Sequence, residues 1–170
     1  MPDDEQRGRQ AAVDGFAHEH IVVGLLMKRY LNVSLVDLPL STYDIIIVNK
    51  RKDDSEDIIR AQVKTAKTSV SFVGGTRGGV DREYKSGVKE YRQSTATSDV
   101  VIAIHPVGGD QFDLYFIPTI LIEVIDQKSI SLNKIKVLKN NFEMLENCKN
   151  PDFVLSKSEE FGIIHKKLFE

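Results

Sequence analysis

Two runs rich in β-branched residues stand close together in this chain, Tyr43-Asp44-Ile45-Ile46-Ile47-Val48 and Ile58-Ile59-Arg60-Ala61-Gln62-Val63-Lys64-Thr65. Such residues suit a pleated, half-buried surface. The stretch between them is dense in Lys, Arg and Asp, so the pair predicts two adjacent strands joined by a charged turn over 49–57. Side chains alternate across a strand, which puts Gln62 and Lys64 on one face and Ala61, Val63 and Thr65 on the other. If the strands pair as a hairpin, Asp44 reaches the face of Gln62 and Lys64. A carboxylate, an amide oxygen and an ammonium then meet at one spot, a set able to hold a divalent cation beside a lysine.

The rest of the chain reads as a domain around that hairpin. Its 170 residues and 19.2 kDa suit one domain over 1–170, and 41% hydrophobic with 28% charged residues is ordinary for a soluble globular protein. Ala12, Phe16, Val23, Leu26, Met27 and Tyr30 recur at helical spacing and predict an amphipathic helix over 9–31, after a frayed polar start. Residues 33–40 read as a short strand or extended edge, limited by Pro39. Residues 69–73 extend the sheet, and 81–95 form a helix with Tyr84, Val88 and Tyr91 on one stripe. Residues 100–104 and 112–117 are apolar strands of buried type, with Gly108-Gly109-Asp110 as the hairpin signal between them and Pro118 as the end of the sheet. Helices follow over 133–147 and 158–168. This order predicts an α/β domain on a central mixed β-sheet flanked by helices, with a core at about 10–118 and a helical extension over 119–170.

Several classes are set aside at this level. No apolar run approaches the roughly 18 residues that span a bilayer, and the acidic start Met1-Pro2-Asp3-Asp4-Glu5 is unlike a signal peptide. One cysteine, Cys148, excludes an internal disulfide framework and a Cys-rich zinc site. A cytoplasmic location is the resulting expectation. His18-Glu19-His20 lacks the second metal histidine of a His-Glu-x-x-His zinc motif, because Val22 stands in its place. The loop Gly74-Gly75-Thr76-Arg77-Gly78-Gly79 lacks the Gly-Lys-Ser/Thr ending of a nucleotide-binding loop and reads as a connector whose Thr76 and Arg77 could touch phosphates.

Charge is more telling by place than by sum. The formal net charge is −2, yet Arg60, Lys64, Lys67, Arg77, Arg82, Lys85, Lys89 and Arg92 face only Asp81, Glu83 and Glu90 between residues 60 and 92, a local excess of +5. Both a phosphate-tracking patch and a solvated helix face fit that excess. Glu19 joins the candidate site from the first helix, close to its apolar stripe. Gly15, one turn earlier, would let the helix approach another backbone at a cost of about 1 kcal/mol relative to alanine.

Taken in order, Gly15-x-x-x-Glu19, Tyr43-Asp44 and Gln62-Val63-Lys64 with Thr65 resemble the PD-(D/E)xK nuclease superfamily, in the branch whose third motif reads Gln-x-Lys. The resemblance covers roughly residues 10–118 and continues through the segment Tyr84 to Tyr91, Asp99 ahead of the apolar strand, and Tyr115-Phe116-Ile117-Pro118. Tyr43 stands where the name-giving proline would be, and Gln62 replaces the usual acid, which removes one negative charge. The resemblance implies a restriction-endonuclease-like fold, shared by restriction, homing and junction-resolving enzymes, and a Mg²⁺-dependent DNA endonuclease in which Mn²⁺ could substitute. It implies that Asp44, Glu19, the Gln62 side-chain oxygen and the Val63 carbonyl hold metal or its water, with Lys64 orienting the attacking water. Glu19, Asp44, Gln62 and Lys64 are then the candidate catalytic residues. Arg60, Lys67, Thr76, Arg77, Arg82, Tyr84 and Lys85 are candidate contacts to double-stranded or branched DNA. A homodimer or higher homo-oligomer would serve two-strand cleavage. The alternative is a catalytically silent member of the same fold that binds nucleic acid or a protein partner.

Overall fold

The computed structural model describes residues 4–75 and 90–165. Its elements run α1 (Asp4–Met27), β1 (Asn32–Leu35), β2 (Ile45–Lys50), β3 (Glu56–Thr65), β4 (Ser69–Ser71), β5 (Val73–Gly75), β6 (Glu90–Arg92), β7 (Val100–Gly108), β8 (Gln111–Pro118), α2 (Thr119–Ile125), β9 (Ser129–Ser131), a 3-10 helix (Leu132–Leu138), α3 (Phe142–Glu146) and α4 (Pro151–Glu160). The expected hairpin forms, with Ile45 opposite Ala61 and Lys50 opposite Glu56. A tight turn closes it, where Asp54 takes a left-handed φ of 63° and the Asp53 carboxylate accepts from the Ser55 N–H.

That hairpin is one half of a five-stranded sheet in the order β1-β2-β3-β7-β8. Only the β3–β7 pairing is parallel, so the sheet is mixed. The β7–β8 hairpin turns at Gly108 and Gly109, whose φ values of 129° and 56° lie where a side chain would strain the backbone. Both faces of the sheet are covered. One packs Ile45, Ile47, Ile59, Val63, Val100, Ile102 and Ile104 under α1, which contributes Val22 and Leu26. The other packs Val101, Ala103, Tyr115 and Ile117 against Leu121, Ile122, Ile135, Leu138 and Val154 from the C-terminal helices. Burial on both sides explains why residues 100–104 are continuously apolar rather than alternating. The result is an α/β fold with a central mixed sheet flanked by helices.

Several expectations need correction. The first helix already starts at Asp4 and ends at Met27. Its core contact is made by Val22 and Leu26, while Phe16 is 64% exposed and Met27 53% exposed. Gly15 gives no close approach either, since a side-chain carbon there would meet open space. Second, residues 69–73 stay out of the central sheet: β4 pairs with β9 and β5 with β6. The helix expected over 81–95 is a strand at Glu90–Arg92, and residues 76–89 lie outside the described residues.

Third, the helix expected over 133–147 is broken in two. Asn140 takes a left-handed φ of 50°, donates its N–H to the Leu114 carbonyl (2.6 Å) and accepts from the Leu114 N–H (3.2 Å), which clamps the chain to the edge of β8. Asn141 then caps α3 by accepting from the Met144 N–H at 3.0 Å. Fourth, the last helix runs Pro151–Glu160 rather than 158–168. The Asn150 side chain caps it and Pro151 occupies its first turn, so that proline starts a helix instead of following one. Gly162, at φ 71°, follows its end. Among the described residues no helix is long and apolar enough to cross a membrane.

Candidate functional site

The site is made by strands of unequal reach. β2 begins at Ile45, opposite Ala61, whereas β3 continues four residues further to Thr65. Beyond Ala61 that edge of β3 has no β2 partner, and the Val63 N–H and C=O leave the strand on this side. Backbone donors are not left idle in a half-buried place. Asp44, the residue just before β2, supplies the acceptor: its Oδ2 takes the Val63 N–H at 2.8 Å and the Gln62 Nε2–H at 2.7 Å. Its own N–H donates to the Ala61 carbonyl at 2.9 Å, which holds the aspartate in register with Gln62.

The alternation read from sequence is the one observed along β3. Ala61 and Val63 are buried under α1, and Gln62 and Lys64 are half-buried on the opposite face. Lys64 Nζ donates to the Val73 carbonyl at 3.4 Å, which brings β5 to the side of the pocket. Glu19 enters from α1. The helix is pinned there by His18, whose Nδ1 lies 2.7 Å from Thr65 Oγ1 and whose ring packs edge-on against Phe112. Asp44, Gln62, the Val63 backbone and Lys64 therefore gather where β3 outruns β2, and Glu19 of α1 lies close enough to feel the Asp44 charge.

The electrostatics of that gathering are lopsided. Burial, then the nearby Asp44 charge, pushes the Glu19 carboxyl up to about 7, against a lowering by His20. Burial also raises Asp44, although the Val63 N–H and Lys64 pull it down. Burial lowers Lys64, with Asp44 holding it up. Two acids and one ammonium thus share a partly desolvated pocket, each charged form costing more than in water. Clustered perturbed groups of this kind mark functional sites. Among the described residues no three His, Cys, Asp or Glu side chains form a metal cluster. An ion here would take two carboxylates, an amide oxygen and a backbone carbonyl, with water for the rest. Oxygen-only donors of that composition suit Mg²⁺.

The candidate DNA contacts have separate fates. Arg60 is occupied: its Nη2 and Nε donate to the Asp99 carboxylate at 2.8 and 3.2 Å, and Nη2 also reaches the Thr95 carbonyl at 3.0 Å. Lys67 is exposed just past the end of β3. Thr76, Arg77, Arg82, Tyr84 and Lys85 lie outside the described residues. Sequence reading passed over His18, whose partner Thr65 is far away in the chain, and it placed Tyr91 on a helical stripe although it belongs to β6. Its neighbourhood, including the charge of Asp44, is that of the site.

No protein-family model matches this chain, and no curated protein matches it. By structure it is similar to the bacterial homing endonuclease I-Ssp6803I, with a TM-score of 0.53 at 12% sequence identity, over 87% of this chain and 97% of the other. The likeness is one of fold.

Proposed function

We propose that this chain is a metal-dependent DNA endonuclease that hydrolyses the phosphodiester backbone through a PD-(D/E)xK-type site in its Gln-x-Lys form. One observation carries the reading: Asp44 binds Gln62 and the Val63 N–H at the open end of β3, within electrostatic reach of Lys64 and Glu19. A fold shared with a bacterial homing endonuclease supports it, and DNA as substrate follows from that likeness.

The donor set fits Mg²⁺. Asp44 and Glu19 are both held above their ordinary range, so a divalent cation would relieve a pocket with more acid than base. Asp44, Glu19, the Gln62 amide oxygen and the Val63 carbonyl would hold it. The Gln62 amide would then turn over, presenting its oxygen where Nε2 now donates to Asp44. A bound ion supplies charge stabilisation at the phosphate and a nucleophile at neutral pH. Lys64, whose neutral amine burial favours over that of a solvated lysine, orients the attacking water and can accept a proton from it. The Val73 carbonyl steadies that ammonium. Asp44 keeps the Val63 backbone in position through one carboxylate oxygen and leaves the other for chemistry.

The test is nicking of supercoiled plasmid with and without Mg²⁺. Wild-type protein is expected to nick only with the cation, and Asp44→Asn and Lys64→Ala to lose at least about 100-fold in rate while still binding DNA. Salt-sensitive DNA binding without cleavage, unchanged in both variants, would favour the silent member instead. The enzyme acts as a homodimer or higher homo-oligomer that cuts both strands, and sedimentation in the ultracentrifuge with a DNA duplex measures its oligomeric state.

A further inference from the structure

We infer that Tyr91 is a substrate-binding residue of this pocket, its phenol donating a hydrogen bond to a non-bridging oxygen of the phosphate held beside Asp44 and Lys64. This rests on the endonuclease reading and deepens it. The ribbon of β5 and β6 lies outside the central sheet, yet Lys64 Nζ reaches the Val73 carbonyl of β5. Antiparallel register sets Gly74 of β5 opposite Tyr91 of β6. The tyrosine ring crosses directly over that glycine. A side-chain carbon at Gly74 would fall 2.5 Å from Cζ, 2.7 Å from the phenol oxygen and 2.8 Å from Cε2. Those are the far atoms of the ring, so the absent side chain makes room for the hydroxyl end beside the strand that Lys64 touches.

The hydroxyl also has a direction. Gln93 lies two residues after Tyr91, just past the end of β6, and is 1% exposed. Its Oε1 accepts from Thr97 Oγ1 at 2.8 Å and from Ser98 Oγ at 3.4 Å, which fixes the orientation of the amide. Gln93 Nε2 is then a buried donor with no closed hydrogen bond, and Tyr91 is a group it acts on. Gln93, as a donor, and the Asp44 charge both act on the phenol, so the hydroxyl's own hydrogen is available to an acceptor in the pocket. A buried donor left open costs free energy unless something completes it.

An alternative role is purely structural, the ring serving only to cover Gly74 in an antiparallel pair. Tyr91→Phe separates the two because it keeps the ring and removes the hydroxyl. We expect kcat for Mg²⁺-dependent plasmid nicking to fall about 10-fold or more, with the duplex Kd within about twofold and the Tm unchanged, since a donor aimed at developing charge acts mainly in the transition state. Gly74→Ala should displace the phenol and lower kcat similarly, yet add nothing further in the Tyr91→Phe background. Wild-type nicking that depends on Asp44 but is untouched by Tyr91→Phe overturns the role of Tyr91 and leaves the endonuclease reading standing. Wild-type protein that leaves the plasmid intact overturns both.

Discussion

Glu19 shows how much of this site is set by a single carboxyl. In the folded chain it holds its proton up to about 7, against an ordinary 4.5. The native state therefore binds this proton more tightly than the unfolded chain does, and stability falls as pH rises from 4.5 towards 7, then levels off. The charges acting on it are Asp44 from the strand side and His20 from its own helix. Glu19→Gln removes the cost of charging. In EDTA, its urea midpoint should exceed that of wild type at pH 8 and converge with it near pH 4. Equal midpoints at pH 8 would mean that the carboxylate sits in water rather than in a desolvated pocket. Arg60 makes the opposite case, since its charge serves the fold. It grips Asp99, whose side chain is 11% exposed, and ties β3 to the start of β7. Arg60→Ala should cost about 1–3 kcal/mol of stability by leaving that carboxylate poorly satisfied. A variant that keeps its Tm but loses DNA affinity would instead restore Arg60 as a DNA contact.

Elements are decided by short polar signals as much as by periodicity. Asn150 and Pro151 together start α4, and Asn150→Ala should lower stability by about 1 kcal/mol through loss of the cap to the Phe153 N–H. Urea denaturation measures it, and an unchanged midpoint would show the cap to be idle. The β2–β3 and β7–β8 hairpins were legible because alternation, apolar runs and a Gly-Gly-Asp turn all agree there. The break at Asn140 was not. The apolar residues Ile135, Leu138 and Leu145 are all buried, as a continuous helix would also require. What divides them is a pair of hydrogen bonds to Leu114, a residue distant in the chain. The same reason hid the fate of Phe16: its spacing suits a buried stripe, but nothing packs over that part of α1 among the described residues.

At the scale of the whole molecule, one sheet with two covered faces carries the fold and places the site at its edge. Ile102 is fully buried in the layer beneath α1, next to Ala61 and Val63 in the same packed cluster. Ile102→Ala should cost about 2–5 kcal/mol, seen as a lowered Tm. If the site depends on the length difference between β2 and β3, the Asp44, Gln62 and Lys64 geometry should survive in whatever fraction stays folded. The sequence by itself determined the two strands and the shared face of Gln62 and Lys64, because the period of a strand is a local property of backbone geometry. It also supplied the oxygen-rich chemistry of the pocket. Only the tertiary structure decided that β3 outruns β2, that His18 binds α1 to Thr65, that Arg60 is bound to Asp99, and that Tyr91 crosses Gly74. Each of these joins residues far apart in the chain, and no local preference records which distant partner completes a contact once the two layers of core have packed.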